Sequence, residues 1–333
     1  MTESLRALLQ CQGNDHRRLT HRFEAENGHG WHEPGAAPVN SDVSVVIPAF
    51  NVDHCLRAVL DALAAQTLTP EVVVVDDAST DGTADIARSH PVVDRLIRLP
   101  ARLGAATARN VGTAAASGST IVFLDADMVI PPHVIADIAA RATSDAVLIG
   151  FRHNIAHGAE LPPAPDIHAD HRVTWRPPVD TPLMYSRIVL DQPLDGRPLD
   201  DTRDLVDLGY GRTYYDWDLP RMVVTALLAV PRSALIDVGG FDPEFGRLGW
   251  GMEDTHLGAK LIAAGLLVVP LRQAVGFHLD PPDAAAAWQA KLATWPSTLR
   301  HYRRLLEAPM PRDVAASFTA TAHRQLSRCE VYR

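Results

Sequence analysis

The fold is decided by residues 72–83, which read VVVVDDASTDGT. The apolar, β-branched run 72–75 predicts a buried strand, and this strand leads directly into the carboxylates Asp76 and Asp77. The short polar residues that follow are typical helix caps, so a helix is expected immediately after the turn. A strand, a turn and a helix in this order form the repeating unit of an α/β protein.

The same unit recurs on both sides of this stretch. Residues 43–47 predict an earlier strand and residues 120–124 a later one, with helical segments between them. This alternation predicts an α/β fold with a mostly parallel sheet and helices on both faces. Ligands of such sheets bind beyond the carboxyl ends of the strands. The polar residues expected at three of these ends are 48–51, 76–77 and 125–127.

Composition divides the chain into four parts. These are a polar N-terminal arm (1–41), a βαβ half (42–151), a second half (152–282) with an irregular insert at 159–220, and a helical tail (283–333). We expect the arm to be partly disordered, because it is rich in His, Gly and Pro. A metal tract at His29 and His32 is the alternative, but no further ligand follows at a fixed spacing. We therefore predict one large domain carrying an insert.

Charge and composition exclude several classes of protein. The chain has 333 residues and a net charge of −9, so it is a poor non-specific partner for nucleic acid. No apolar run approaches the ~20 residues of a membrane span, and the N-terminus lacks the features of a secretory signal. Three widely separated cysteines suit a reducing compartment, so a cytoplasmic location is expected. Lys260 and Lys291 are the only lysines, which we interpret mainly as coding bias.

Two carboxylates follow the strand at 120–124. Asp125 and Asp127 are two residues apart at a strand end, so both carboxylates can turn toward the same cleft. Oxygen ligands of this kind suit Mg²⁺ or Mn²⁺. The alternative is a solvated turn, since acidic residues are common between a strand and a helix. Earlier in the chain, Arg109 lies in a predicted helix, where it either pairs with a phosphate or an aspartate or is an ordinary surface arginine.

The second half contains a glycine-flanked tryptophan before a helix. Trp250 in the sequence GWGMED can offer its indole to a sugar ring, and the acids Glu253 and Asp254 follow it. One acid has a structural explanation, because carboxylates stabilise the N-terminus of a helix. The other can take a proton from an acceptor hydroxyl. His278 follows a later strand and is a candidate metal ligand, although a single histidine is more often structural.

Taken together, these segments resemble the GT-A glycosyltransferases, in particular the family 2 enzymes. The matching stretches are SVVIPAFN (44–51), VVVVDDASTDGT (72–83), GAATARNVG (104–112) and FLDADM (123–128). The stretch at 239–265 is similar to the acceptor-side segment of β-1,4-galactosyltransferases and chondroitin-synthase-type enzymes. The resemblance implies a GT-A, Rossmann-like sheet with an acceptor-side insert. It also implies a UDP-sugar donor, an unidentified acceptor and a divalent cation, Mn²⁺ or Mg²⁺.

The resemblance assigns roles to individual residues. On the donor side, Pro48, Phe50, Asn51 and Asp77 are expected to bind the nucleotide, with Asp77 on uracil. Arg109 is expected to bind the diphosphate, and Asp125 the ribose or the metal's water shell. On the metal and acceptor side, the expected residues are Asp127 and His278 as metal ligands, Trp250 under the sugar or acceptor, Glu253 beside the acceptor and Asp254 as the catalytic base.

The implied reaction is a single displacement that inverts the anomeric carbon and transfers a hexose or N-acetylhexosamine. The chain lacks the QxxRW motif of processive membrane synthases, which favours a soluble enzyme that adds one sugar at a time. Two other classes remain. A sugar-nucleotide pyrophosphorylase needs a glycine- and arginine-rich loop ending in lysine near the first strand, which this sequence lacks. A non-catalytic sugar-nucleotide-binding protein would not need the acids beside Trp250.

Overall fold

The architecture comes from a computed structural model that describes residues 3–31, 33, 42–161, 219–309, 311 and 313–332. Most of the insert predicted at 159–220 therefore lies outside the described residues, as does His32. The strands of the described part are β1 Val43–Ala49, β2 Glu71–Asp76, β3 Arg95–Arg98, β4 Thr120–Leu124, β5 Met128–Val129, β6 Ala146–Ile155, β7 Leu227–Pro231, β8 Leu267–Leu279 and β9 Glu330–Tyr332.

Helices connect these strands and cover both faces of the sheet. They are α1 Leu5–Gln10, α2 Arg17–Asn27, α3 Leu56–Ala64, α4 Thr83–Ser89, α5 Ala105–Ala115, α6 Val134–Arg141, α7 Arg232–Asp237, α8 Glu244–Leu248, α9 Glu253–Ala263, α10 Ala284–Glu307 and α11 Val314–Leu326. A short 3₁₀ turn occupies Pro220–Met222. None of these helices, which span the described ranges, combines the length and the apolar character needed to cross a membrane.

The described strands form one nine-stranded sheet, in the order β5-β8-β6-β7-β4-β1-β2-β3-β9. The four neighbours β4-β1-β2-β3 are parallel, as the βαβ pattern predicts. The sheet as a whole is mixed rather than mostly parallel, because β5, β7 and β9 each pair antiparallel with their neighbours. The α/β class is confirmed, and the sequence pattern missed the reversal at β7.

Alternation along the strands divides the core into two layers. In β2, Val73 and Val75 face the layer covered by α5 and α9, whereas Val72 and Val74 face the layer covered by α3 and α6. This is the expected consequence of successive side chains pointing to opposite faces of a strand. All four valines are fully buried, so β2 is a central strand with its carboxyl end at the site described below.

The N-terminal arm differs from its predicted disorder over residues 3–31. Leu5 and Leu9 of α1 are buried in one core layer, and Phe23 of α2 is buried in the other. The side chain of Asn14 forms two hydrogen bonds with the backbone of Val268, one through its amide nitrogen (3.0 Å) and one through its oxygen (2.7 Å). These few apolar and amide anchors hold a segment whose average composition is polar.

Candidate active site

Arg109 is at the centre of the candidate site. Its side chain is buried, and its Nη2 donates to Asp125 Oδ1 at 3.0 Å. Its Nη1 lies 3.6 Å from Glu253 Oε1 and 3.6 Å from Asp254 Oδ1. One guanidinium therefore joins the acid at the end of β4 with the two acids at the start of α9, although more than 120 residues separate them in sequence. The surface-arginine alternative for Arg109 is excluded.

Two side chains fix the helices that carry these groups. Asn110 of α5 donates to the carbonyl of Phe241 and accepts from its backbone N–H, both at 2.8 Å. Lys260 of α9 donates to the carbonyls of Val238 and Gly240. Helices α5 and α9 are thus tied to the same turn, residues 238–241, and this connection holds Arg109 opposite the acids of α9.

The predicted metal ligands divide into two groups. Asp127 Oδ2 lies 3.2 Å from His278 Nε2, because the short strand β5 pairs with β8 and places Met128 opposite His278. Asp125, in contrast, is held by Arg109. The described ranges contain no cluster of three His, Cys, Asp or Glu side chains that could hold a metal ion. The chain thus brings two of its three predicted ligands together.

Asp127 and His278 nevertheless suit a divalent cation that takes further ligands from a diphosphate. Within the described residues, Asp127 Oδ1 is buried without a hydrogen-bond partner. Burial by itself would raise the pKa of Asp127, but the opposite charge and hydrogen bond of His278, with smaller contributions from Arg152 and Lys291, lower it overall. Asp127 therefore stays ionised, as a metal ligand must be.

The predicted donor residues lie on neighbouring loops. Asp77 accepts from the backbone N–H groups of Leu103 (2.6 Å) and Gly104 (2.8 Å), which fixes the turn before α5. Phe50 lies under the guanidinium of Arg102, 4.0 Å from its ring centroid. These residues line a cavity of about 950 Å³.

The remaining predicted donor residues have local structural roles. Asn51 accepts from the backbone N–H of Thr80 at 2.9 Å, which links the loops that follow β1 and β2. Pro48 is half-buried near the end of β1, in register with Val75 of β2. The neighbouring Asp76 is fully buried and lies 3.3 Å from Arg98 Nε, so it is a structural ion-pair partner.

Residues 249–252, here called the Trp250 loop, reach the same cavity from the second half of the chain. Gly249, Gly251 and Met252 all have positive φ angles, so the glycines allow a bend that ordinary residues resist. Trp250 and Glu253 line the cavity together with Asp77 and Phe50. The structure thus brings residues of the sequence-predicted donor and acceptor segments to one cavity.

The sequence matches two family models. Residues 44–186 match the model described as "Glycosyl transferase family 2", and residues 211–278 match "N-terminal domain of galactosyltransferase". Over residues 44–186, the chain is similar to glycosyl transferase family 2. This is the resemblance that the sequence motifs predicted.

A curated relative of this chain is validoxylamine A glucosyltransferase of Streptomyces hygroscopicus subsp. limoneus. The two are 34% identical over 263 residues, an alignment that covers 74% of this chain and 53% of the relative. The chain thus spans about half the length of the curated relatives that it matches in this group.

Solved structures share the fold of this chain. S. aureus TarS 1-349 in complex with UDP-GlcNAc has a TM-score of 0.53 at 18% identity, covering 85% of this chain and 72% of that chain. Mannosyltransferase PcManGT from Pyrobaculum calidifontis, in complex with GDP-Man and Mn²⁺, has a TM-score of 0.52 at 19% identity, covering 97% and 84%. At such low identities the similarity concerns the fold, and it confirms the predicted GT-A class.

Three residues near the site escaped sequence reasoning. Thr225 holds Asp254 with two hydrogen bonds, from its hydroxyl to Oδ1 (2.9 Å) and from its backbone N–H to Oδ2 (3.2 Å). Arg102 and Lys291 line the cavity. Thr225 lies in an apolar run that carries no chemical signal. Lys291, however, is one of the only two lysines in the chain, and that rarity was a usable signal.

The paired acids of α9 have unusual proton affinities. Burial raises the pKa of Glu253 from 4.5 to about 7, and the neighbouring Asp254 adds to this shift while Arg109 opposes it. Burial also raises the pKa of Asp254. Among the described residues, Glu253 Oε2 has no hydrogen-bond partner. Glu253 is therefore able to exchange a proton near neutral pH.

A pH dependence of stability follows from Glu253. Between about pH 4.5 and 7, the folded protein holds a proton that the unfolded chain has already released, so the contribution of Glu253 to stability falls as pH rises. We expect Glu253→Gln to remove this fall. The difference in free energy of unfolding between Glu253→Gln and wild type should therefore shift in favour of the variant by roughly 3 kcal/mol as pH rises from about 4.5 to 7.

Urea denaturation at pH 5, 6, 7 and 8 measures this difference. The exposed Glu160 provides a control, because Glu160→Gln should track wild type at every pH. A constant difference between Glu253→Gln and wild type at all four pH values would show that the pKa of Glu253 is not raised.

Proposed function

We propose that this chain transfers a hexose or N-acetylhexosamine from a UDP-sugar to an acceptor hydroxyl, with inversion at the anomeric carbon. The observation that carries the proposal is the convergence at Arg109 of acids from two distant segments. Asp125 belongs to the strand-end motif, whereas Glu253 and Asp254 belong to the acceptor-side motif. Arg109 therefore brings the predicted diphosphate side and the predicted base into one site.

The donor is proposed to bind in the cavity between Phe50 and Trp250. Arg102 and the Phe50 ring below it offer a surface for the uracil ring, and Asp77 lines the same cavity with oxygens that can accept the uracil N3–H. Asp127 and His278 would hold Mn²⁺ or Mg²⁺. Such a cation supplies charge stabilisation for a departing diphosphate.

The chemical step needs a base on the acceptor side. The acceptor oxygen attacks the anomeric carbon on the face opposite UDP, a new C–O bond forms, and the bond to the diphosphate oxygen breaks with its electron pair. Asp254 takes the proton of the acceptor hydroxyl. Thr225 and Arg109 fix its carboxylate in place, and orientation of this kind is a large part of general-base catalysis.

A donor screen tests the proposal directly. The purified chain is mixed with Mn²⁺ and either UDP-Glc, UDP-GlcNAc, UDP-Gal or UDP-GalNAc, and thermal unfolding is followed. A true ligand at 100 times its Kd stabilises the protein by ~2.7 kcal/mol. Release of UDP is then measured with a panel of acceptors. If no UDP-sugar stabilises the protein, the proposed donor class is wrong, and binding without any turnover would favour a non-catalytic sugar-nucleotide-binding protein.

Metal dependence is a separate expectation. We expect EDTA to abolish turnover and Mn²⁺ to restore it, and Asp127→Asn to weaken UDP binding in Mn²⁺ by about tenfold or more because one charged ligand is lost. The exposed Asp85 on α4 provides a matched control, Asp85→Asn. Isothermal titration with UDP measures both variants. Equal UDP affinity for Asp127→Asn and wild type, in Mn²⁺ and in EDTA alike, contradicts a metal role for this carboxylate.

A further inference from the structure

Helix α10 lies outside both family matches, the second of which ends at residue 278, yet it forms one wall of the cavity. Its Thr294 Oγ1 accepts from the backbone N–H of Trp250 at 3.0 Å, and its Thr298 Oγ1 donates to the Trp250 carbonyl at 3.0 Å. The ring of Trp288 meets that of Trp250 edge-to-face, with centroids 5.5 Å apart. Helix α10 therefore fixes Trp250 through both its backbone N–H and its backbone carbonyl.

Close packing fixes this contact further. Gly249 has φ +133°, and a Cβ atom at this position would lie only 2.2 Å from Thr294 Cβ. No side chain fits there, so glycine allows the loop and the helix to approach each other closely. The position of α10 relative to the cavity is thus set by hydrogen bonds and by packing.

This geometry brings Lys291, one turn before Thr294, into the cavity. Its Nζ lies 5.5 Å from the centroid of the Trp250 ring, and its side chain is half-buried. Within the described residues, the side chain of Lys291 forms no ion pair and no hydrogen bond. The three N–H groups of its ammonium are therefore available to a ligand.

Of the other described cations near the cavity, Arg109 is shared among three carboxylates and Arg247 lies 3.5 Å from Glu244. Arg102 lies over the ring of Phe50, where it is proposed to face the uracil rather than the diphosphate. A sugar nucleotide brings a diphosphate into a site that is otherwise rich in acids, so it needs local positive charge. Lys291 lines the same cavity as Phe50 and Asp77, which are the proposed donor residues.

We propose that Lys291 binds the diphosphate of the bound sugar nucleotide and stabilises the departing UDP. This role rests on the proposed function and deepens it, because it assigns a leaving-group contact to a helix beyond the family matches. Helix α10 would then both fix the Trp250 loop and place the Lys291 ammonium against the diphosphate of the donor. Binding of a donor is thereby linked to the loop that is proposed to contact the acceptor.

Nucleotide binding to the full chain tests this role. Dissociation constants for UDP and uridine, and for GDP and guanosine, are measured by isothermal titration in Mn²⁺ for wild type, Lys291→Met, Lys291→Arg and the control Arg303→Ala. Arg303 is an exposed cation on the same helix. We expect Lys291→Met to weaken diphosphate binding roughly tenfold to a hundredfold while nucleoside binding is unchanged, since a charge-assisted contact is lost. Lys291→Arg should retain most of the affinity, and Arg303→Ala all of it.

The outcomes separate this role from the proposed function. If wild type binds UDP and Lys291→Met binds it equally well, or loses UDP and uridine affinity alike, the assignment of Lys291 is overturned while the UDP-sugar proposal stands. If wild type binds GDP but not UDP, and Lys291→Met weakens GDP binding, the Lys291 contact is supported and the uridine preference fails. If wild type binds neither diphosphate, both proposals fail. Similar melting temperatures for the four proteins exclude misfolding as the cause.

Discussion

Asp254→Asn is expected to lower kcat by roughly 10²–10⁴-fold, the usual contribution of a general base. The amide side chain has almost the same shape but cannot accept the acceptor proton. Stability should change little in comparison, because the asparagine oxygen can still accept from the Thr225 hydroxyl and Arg109 keeps Asp125 and Glu253 as partners. UDP binding should persist, since the donor contacts are proposed to lie on other residues. Steady-state kinetics and urea denaturation measure the two effects on the same preparation.

Asp237→Asn is the matched control for this change. Asp237 is exposed at the end of α7, and we expect its variant to keep wild-type kcat. The proposed role of Asp254 would be refuted by a variant that folds, binds UDP and turns over at the wild-type rate. If Glu253→Gln instead shows the large loss in kcat, the base is the neighbouring acid, whose pKa is about 7.

The second large effect concerns Arg109 and is an effect on stability. Arg109→Met leaves Asp125, Glu253 and Asp254 close together without the cation that they share. Removing one partner from a buried ion pair costs about 3–5 kcal/mol, because the remaining charges stay desolvated. We expect a loss of this size in the free energy of unfolding at pH 8, measured by urea denaturation.

The loss should also depend on pH. Arg109 opposes the rise in the pKa values of Glu253 and Asp254, so without it both pKa values are higher still in the folded state, and the folded protein loses stability as pH rises. The difference between Arg109→Met and wild type should therefore be smaller at pH 5 than at pH 8. Arg303→Met, which removes an exposed cation, is expected to be nearly neutral at both. A pH-independent loss below about 1 kcal/mol would mean that Arg109 does not hold these acids together.

The strands and helices of residues 42–151, and the polar residues at the strand ends, could be predicted from local sequence patterns. Buried β-branched runs end in polar residues, and the alternation of strands and helices placed those ends along one edge of a parallel sheet. The proximity of Asp127 to His278 was also expected, although its cause, the pairing of β5 with β8, was not visible in the sequence. A two-residue strand is too short to produce a periodic signal.

The rest depends on contacts between distant segments. The sequence around Arg109 does not show that its three carboxylate partners follow β4 and begin α9. Arg109 reaches all three because α5 packs against the turn at 238–241, a contact between distant segments. Asp77 likewise reads as a ligand, but its immediate partners are the N–H groups of Leu103 and Gly104. The packing of residues 3–31 was not predicted, because composition averages over a segment, whereas packing depends on a few residues such as Asn14 and Phe23.

The position of β7 has a consequence for the modularity of this protein. Strand β7 belongs to the second half of the chain, but it lies between β4 and β6 of the first half and pairs antiparallel with both. The two regions that match separate family models are therefore interleaved within one sheet. A chimera that replaces the second region with that of a homologue would also replace β7. The new β7 must then pair with β4 and β6 of the original chain, so these two flanking strands have to be compatible with it or be exchanged as well.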